Sequence, residues 1–214
     1  MAIANDGPQG PHRGRIGNMV YYDLNGQNVG RQIGRITTPP TENQLRNWEV
    51  MKLVPAFLKS VLEFINLGFS IEQLGTTSNS YNVAMKLNVT QIVTGDYPNL
   101  YIDYSKVILS KGILKPAQNP TAEMEAEAIR FSWDTNPQMP WEESTDQVMM
   151  LAYFPEQKKV FYTLFGKDRI AGNDSLPIPD DLLDQPVYTY ISFVAANRRK
   201  LADSIFIGGL NLTP

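Results

Sequence analysis

Short β-prone segments separated by turns occupy the second half of the chain, and this pattern restricts the possible folds more than any other feature. AIRFSWDTNP at residues 128–137 alternates apolar and polar residues before an Asp-Thr-Asn-Pro turn. Two pairs of strands follow it: DQVMMLAYFP and KKVFYTLFG meet at PEQK, and PVYTYISFVAA and DSIFIGGL flank NRRKLA. Because short strands at regular spacing are typical of antiparallel sandwiches, we predict a β-sandwich domain over residues 112–214.

The stretch VYYDLNGQNV predicts a β-hairpin over residues 16–34, since Asn25-Gly26 lies between two β-prone runs. A type I′ turn needs positive φ at both central residues, which Asn and Gly tolerate best. The two-residue loop predicts four opposed pairs: Leu24 with Gln27, Tyr22 with Val29, Tyr21 with Gly30, and Val20 with Arg31. We also expect Ile16 to share the face of Val20 and Tyr22.

A phosphate-binding loop is the competing interpretation of the same N-terminal stretch. GRIG at residues 14–17 matches the GXXG loop of KH RNA-binding domains, but that loop joins two helices and here a strand follows. A Walker loop would need Gly-Lys-Ser/Thr before a helix, and no such sequence is present. The hairpin is therefore the better prediction.

Helical periodicity follows the hairpin and predicts a helix over about residues 42–66. Pro55 predicts a kink or two abutting helices, and Gly68 a C-terminal cap. Apolar residues recur at helical spacing and predict a buried face, or a face that docks a partner: Leu45, Trp48, Met51, Phe57, Leu58, Val61, Leu62 and Ile65. Ser80 is a candidate cap for a short helix, and LYIDYSKVILSKG predicts a strand over about residues 99–110 that could extend the hairpin sheet. Together these elements predict an N-terminal α+β unit over residues 1–111, and an α+β fold overall.

The residue inventory leaves little room for catalysis. The chain has no cysteine and one histidine, His12, which excludes thiolate chemistry and leaves too few ligands for a zinc site. Carboxylate pairs such as Glu142-Glu143 and Asp180-Asp181 are adjacent on loops, where solvated side chains are the commoner arrangement. We therefore predict that the protein is not an enzyme and has no cofactor or metal site.

Charge is distributed unevenly although the formal net charge is only −3. Residues 1–40 carry four arginines, Arg13, Arg15, Arg31 and Arg35, against two aspartates, whereas residues 121–214 carry 14 acidic and 8 basic side chains. This asymmetry could orient a protein partner or a second copy, or could reflect scattered solvation. Arginines interleaved with Tyr21 and Tyr22 also suit nucleic acid, but the sequence pI of about 5.2 and the lack of a known motif argue against it. We expect a nucleic-acid binder to place the four arginines on one exposed face.

Trp141 is the remaining candidate for an interaction residue. Pro140 and Glu142 flank it, which predicts a loop position. An exposed Trp there could serve as a platform for a carbohydrate. The alternative is a buried plug at the edge of the sandwich.

No apolar run approaches the roughly 18 residues needed to span a membrane, so we predict no membrane association. The opening residues MAIANDGPQG have neither the basic nor the apolar region of a signal peptide. The expected location is cytoplasmic or particle-associated.

Two resemblances add to this reading. FSWD followed by PVYTYISFVAAN resembles fibronectin type III and immunoglobulin-like domains, with Trp133 at the core Trp position and Tyr190 near the tyrosine-corner position. The segments GRIGNMVYYDLNGQNVGR, PPTENQL, SYNVAMKLN, YPNLYIDYSKVILSKG and DQVMMLAYFP resemble an uncharacterised family of Bacteroides-group bacteria, a domain of unknown function. That resemblance implies no catalytic residue.

These observations predict a non-catalytic binding or assembly protein. A protein partner or self-association is expected, in the setting of a phage- or prophage-type structural component. The alternative is a ligand- or carbohydrate-binding module.

Overall fold

The computed structural model describes the backbone of residues 2–4 and all of residues 10–35 and 37–212. The chain forms two compact units, residues 1–41 and residues 42–214. The domain boundary expected after residue 111 lies inside the larger unit. All the helices and the remaining sheets that the structure describes belong to that unit.

The smaller unit is an antiparallel sheet of four strands in the order β1-β2-β3-β4. Its strands are β1 (Ala2–Ala4), β2 (His12–Ile16), β3 (Met19–Leu24) and β4 (Gln27–Gln32). The predicted hairpin register is confirmed at all four opposed pairs. Asn25 and Gly26 have φ of 52° and 80°, and the Asp23 carboxylate accepts a hydrogen bond of 2.8 Å from the Gly26 amide.

The expected position of Ile16 was wrong, because a second tight turn precedes the hairpin. Gly17 and Asn18 form this turn, which pairs Ile16 with Met19. Directly paired residues share a face of the sheet, so Ile16 lies with Met19 and Tyr21 and not with Val20.

The larger unit begins with the helices α1 (Glu42–Ser60), α2 (Leu62–Gly68) and α3 (Ser80–Asn88). Pro55 lies inside α1, and the break falls at Val61 instead. There the Ser60 hydroxyl donates to the Phe57 carbonyl over 2.6 Å, a local bond that competes with the helical ladder.

Gly68 is the last residue of α2, but it does not provide a left-handed cap, since Phe69 follows it with φ of −115°. Gly68 is instead a packing position: a Cβ atom there would overlap the Leu109 carbonyl oxygen. The cap of α3 is Asn79, whose side chain accepts from the Asn82 amide over 2.8 Å.

The apolar face predicted for the first helix is only partly buried. Trp48 and Met51 are 57% and 55% exposed. The buried residues of α1 are Val50, Val54, Phe57 and Leu58. In the first half of α1, the side of the helix that faces the core therefore does not include Trp48.

The expected strand over residues 99–110 is reduced to β6 (Tyr101–Ile102), which pairs with β5 (Val93–Thr94) in a separate two-stranded sheet. A 3₁₀ turn follows because the Asp103 carboxylate accepts from the Ser105 amide over 3.1 Å. Further along, the Asn88 side chain bonds both backbone groups of Ile108, at 2.8 Å and 2.9 Å. These side-chain bonds satisfy backbone groups that a ladder would otherwise use.

The rest of the larger unit contains seven strands in two antiparallel sheets and a short helix, α4 (Trp141–Ser144). One sheet has the order β11-β8-β7, and the other the order β10-β9-β12-β13. The strands are β7 (Thr121–Met124), β8 (Ala128–Ser132), β9 (Gln147–Phe154), β10 (Lys159–Thr163), β11 (Asn173–Pro177), β12 (Val187–Val194) and β13 (Ile205–Leu210). The two predicted strand pairs, β9 with β10 and β12 with β13, are confirmed.

The four-stranded sheet is covered on both faces, which explains the unbroken apolar run VMMLAYF in β9. Side chains of a strand alternate between the two faces of the sheet. Val148, Met150, Ala152 and Phe154 join a core with the three-stranded sheet. Met149, Leu151 and Tyr153 join a core with the helices. The expected mixed α+β class is confirmed.

Candidate functional site

Several loops meet at one end of the two packed sheets. The loop after β8 (residues 133–146), the loop between β10 and β11 (residues 164–172) and the segment before β7 are held together by hydrogen bonds. The Trp133 indole donates to the Arg169 carbonyl over 2.7 Å, and the Arg169 guanidinium donates to the Lys115 carbonyl over 2.8 Å. The Leu114 amide donates to the Leu201 carbonyl over 2.8 Å, which adds the loop after β12. We call this region the loop end.

A buried ion pair lies at the base of the loop end. The Arg169 guanidinium is 3.1 Å from the Asp146 carboxylate, and the two residues are only 4% and 3% exposed. The guanidinium carbon also lies 3.8 Å from the centre of the Phe193 ring, a cation–π contact. Among the polar side-chain atoms that the structure describes, Arg169 Nε is the one buried without a hydrogen-bond partner.

Burial dominates the electrostatics of this pair. It lowers the pKa of Arg169 and raises the pKa of Asp146, and in each case the charge of the partner opposes the shift. Both charges are therefore held at a desolvation cost. Because the pair is almost fully buried and Arg169 also bonds the Lys115 carbonyl, it anchors the loops.

A groove of about 560 Å³ opens beside this pair at the surface of the loop end. Two large apolar side chains line it with high exposure: Trp141 is 78% exposed and Ile113 is 82% exposed. Polar side chains also line the groove, among them Glu142, Asn197 and Lys200. A second, more polar cavity of about 330 Å³ lies alongside and shares Lys115, Pro140 and Glu143 with the groove.

Short-range hydrogen bonds hold Trp141 in its position. Pro140 precedes the first residue of α4. The hydroxyl groups of Ser144 and Thr145 both donate to the Trp141 carbonyl, at 2.8 Å and 3.2 Å. Glu143 forms an ion pair of 2.8 Å with Lys115, which ties α4 to the segment before β7. The Trp141 ring is thus exposed on a fixed backbone and is not the buried plug that was the alternative.

The four predicted arginines lie elsewhere, in the smaller unit. Arg13, Arg15 and Arg31 share one face of its sheet, and Arg35 lies beyond the last strand. All four are exposed, and none takes part in an ion pair among the residues that the structure describes. The structure therefore brings three of them together, and Trp141 belongs to the other unit.

Over the described ranges of the chain, no group of three or more His, Asp or Glu side chains is placed to hold a metal ion. His12 packs against Tyr21, with ring centres 5.5 Å apart. None of the helices in the described part of the chain is long and apolar enough to cross a membrane.

Sequence reasoning missed two residues of the loop end. Ile113, in KGILKP, shows no pattern that distinguishes an exposed isoleucine from a buried one. Arg169, in KDRIAG, is a charged residue in a loop, for which exposure is the usual expectation. The roles of Ile113 and Arg169 follow only from the way the fold brings these loops together.

The fold and the loop end define a class of protein: a mixed α+β chain in which packed antiparallel sheets carry an aromatic groove on their loops. The chain belongs to a family of unknown function (DUF6266), whose model matches residues 11–208. The comparisons with curated proteins and with solved structures gave no match.

Proposed function

We propose that residues 112–214 form an immunoglobulin- or fibronectin III-like sandwich. If the seven strands β7–β13 are lettered A to G in chain order, the sheets are A-B-E and D-C-F-G. The constant-type immunoglobulin order is ABED and CFG, so only the fourth strand differs. Trp133, which is buried directly after the second strand, supports the assignment.

Tyr190 departs from that pattern. Its hydroxyl donates to the Tyr104 carbonyl over 2.7 Å, far away in sequence, whereas a tyrosine corner bonds a few residues upstream. Tyr190 therefore ties the sheet to the segment after β6. On the motifs quoted above, we also propose that the chain comes from the Bacteroides group.

We infer that the protein is a non-catalytic binding or assembly protein, and that the groove at the loop end receives a protein partner. The observation that carries this inference is the exposure of Trp141 and Ile113 in one groove. Apolar side chains gain free energy when a partner removes them from water, and Trp is enriched among residues that dominate interface energetics.

The surroundings of the two side chains support a protein partner. Lys115, Lys200, Glu142 and Glu143 place both signs of charge around the apolar centre, the arrangement of a polar rim. The Ile113 side chain presents an aliphatic surface, which suits the apolar side chains of a protein segment. The loops at one end of an immunoglobulin-like sandwich are also a known place for recognition.

Self-association is the form of assembly that we propose, with a phage- or prophage-type particle as its setting. The test is the mass of the full chain in solution, by light scattering behind a sizing column, for the wild type and for Trp141→Ala. Trp48→Ala is the matched control, since Trp48 is also a largely exposed tryptophan, on α1. We expect a wild-type oligomer that the Trp141→Ala variant loses, with the dissociation constant raised at least about 30-fold.

A wild-type monomer at every concentration and salt condition would overturn self-association through this groove. Equal losses for Trp141→Ala and Trp48→Ala would also contradict the assignment of the contact surface.

Carbohydrate binding is the second candidate, favoured by the polar side chains Glu142, Asn197 and Lys200 around an exposed indole ring. Aromatic faces and hydrogen-bonding side chains together suit a sugar ring. A titration with soluble oligosaccharides, followed by tryptophan fluorescence, distinguishes the two candidates. Saturable quenching in the wild type and in Trp48→Ala, but not in Trp141→Ala, would favour the sugar.

A further inference from the structure

The sheet of the smaller unit has no buried side chain over its described residues, 10–35 and 37–41. Its strands are joined by backbone hydrogen bonds and tight turns, and both of its faces remain open to solvent to some degree. An open sheet face with a distinct chemical character is a surface on which a ligand can bind.

The two faces differ in charge. Arg15 lies opposite Val20, which lies opposite Arg31, so these three form a row across β2, β3 and β4. The alternation of side chains places Arg13 on the same face, with Tyr22 and Val29. We call this the basic face; its members are Arg13, Arg15, Val20, Tyr22, Leu24, Gln27, Val29 and Arg31.

The described residues of the basic face include no carboxylate. Asp23 lies on the opposite face and is bonded to the Gly26 amide. Arg15 donates from Nε to the Gly17 carbonyl over 3.0 Å, which restricts its stem while the charged end stays exposed. The basic face therefore carries positive charge without internal neutralisation.

The two neighbouring tyrosines of β3, Tyr21 and Tyr22, differ in the face they occupy and in their contacts. Tyr21, on the opposite face, contacts the His12 ring and covers Gly30, where a Cβ atom would lie 2.8 Å from its ring. Tyr22 lies on the basic face beside Val29, and the described residues place no other ring against it. The Tyr22 ring is half-buried, and its exposed part lies on the basic face, where a base can stack on it.

All basic residues of the smaller unit are arginines: residues 1–41 contain four arginines and no lysine. The guanidinium group binds phosphate through two parallel hydrogen bonds and stacks on flat rings, which the lysine ammonium does not do. This choice of residue fits a ligand that combines phosphates with aromatic rings.

We propose that the basic face binds single-stranded nucleic acid, with phosphates on Arg13, Arg15 and Arg31 and a base stacked on Tyr22. Four-stranded sheets that bind RNA stack two or three bases on aromatic side chains, which matches the size of this surface. Arginine next to an exposed ring is the combination used for sequence-tolerant binding of single strands.

An acidic protein surface is the competing occupant, and the dimensions of the sheet argue against it. Six-residue strands and the usual strand spacing give a face of roughly 20 Å by 15 Å, about 300 Å². A stable protein interface buries about 800 Å² on each partner. The face is large enough for a few nucleotides and small for a protein.

The sequence pI of about 5.2 argues against nucleic acid, but that value is an average over two units. The smaller unit has an excess of basic side chains, and the acidic excess belongs to the larger unit. Because salt screens charges beyond about 10 Å, the local charge of the basic face governs a bound phosphate.

The test is binding of the full chain to a fluorescein-labelled oligothymidylate of about 20 nucleotides, followed by anisotropy over a range of salt concentrations. Three phosphate contacts predict a slope of about −2 for log K against log salt concentration. Arg15→Gln and Arg31→Gln should each reduce that slope by about 0.7, and Tyr22→Leu should weaken binding about 5- to 150-fold.

Arg199→Gln is the matched control, because it removes an equal charge from an exposed loop of the larger unit. Far-UV circular dichroism verifies that each variant keeps the β-content of the wild type. No wild-type binding at low salt, or equal loss with Arg199→Gln, would overturn the proposal.

Light scattering on the same variants separates the competing occupant. If the wild type binds no oligonucleotide and Arg15→Gln abolishes self-association instead, the face docks a second copy and the nucleic-acid proposal is wrong. Trp141→Ala tests the groove alone, so either proposal can fail without the other.

Discussion

Removal of one partner of the Arg169–Asp146 pair should destabilise the protein strongly, although the pair lies beside a surface groove. Both residues are almost fully buried, so Asp146→Asn leaves a guanidinium without its counter-ion, and Arg169→Met leaves a carboxylate without its own. Such a change costs about 3–5 kcal/mol, because an uncompensated charge remains in a desolvated site. The loss is a large fraction of the 5–15 kcal/mol that is typical of total stability.

The size of the expected shift can be stated for a melting experiment. For chains of 150–250 residues, each kcal/mol lowers Tm by about 2–4 °C, so each single variant should melt roughly 10 °C below the wild type. Arg169→Met also loses the bond to the Lys115 carbonyl and the contact with Phe193. We therefore expect it to be the more destabilising of the two.

The double variant Arg169→Met/Asp146→Asn distinguishes a coupled pair from two independent losses. With both charges removed, no unpaired ion remains, and the free energy of unfolding should lie well above that expected from adding the two single losses. Urea denaturation followed by circular dichroism measures all four proteins.

The pH dependence provides a second readout with a definite sign. Burial already raises the pKa of Asp146 above 3.8, and loss of the Arg169 charge raises it further. A carboxyl with a raised folded pKa keeps its proton longer in the folded chain, so stability falls as pH rises through that range. Arg169→Met should accordingly be less destabilised at about pH 4.5 than at about pH 7.5, relative to the wild type.

Two results would refute this reasoning. One is a cost below about 1 kcal/mol for both single variants, which would mean that solvent reaches the pair. The other is strict additivity in the double variant.

Two further predictions concern the stability of the chain. Burial raises the pKa of three tyrosines above 10.0: Tyr104, Tyr153 and Tyr190. The stability of the chain should therefore stay level up to about pH 10 and then fall, with a slope of up to three protons. Urea midpoints measure this fall, and absorbance at 295 nm measures the ionisation of the tyrosines. Gly68→Ala should cost about 1–3 kcal/mol in urea denaturation because its Cβ atom overlaps the Leu109 carbonyl, whereas Gly34→Ala, with open space around it, should stay within about 0.5 kcal/mol. Equal effects for the two glycine variants would contradict the packing argument.

Local chemistry made the hairpin predictable to the level of its register. The Asn25-Gly26 turn has two residues, so it leaves no freedom in which residues lie opposite each other. Ile16 lies beyond a second turn, Gly17-Asn18, and every turn that is overlooked transfers the residues before it to an uncertain face. The error at Ile16 is thus a consequence of the same rule that succeeded at Tyr22.

The helices were expected, but their packing against the four-stranded sheet was not, for a different reason. The boundary predicted after residue 111 implies separate cores for the helices and the strands. The run VMMLAYF in β9 contains evidence against that division, because a strand with one open face would alternate with polar residues. A second layer must bury the face that carries Met149, Leu151 and Tyr153, and the helices form this layer.

The candidate sites show how far charge and exposure can be inferred before the fold is known. Trp141 is exposed, as its position between Pro140 and Glu142 suggests. This exposure could be inferred because it depends on residues that are adjacent in sequence. The arginines of the smaller unit acquire meaning only through register: Arg15 and Arg31 are far apart in sequence, yet each lies directly opposite Val20. The pI of the whole chain does not reveal this arrangement, whereas the register places three positive charges and the half-buried ring of Tyr22 on a single surface. The strand register, and not the charge total, is therefore the property that defines the basic face of this unit.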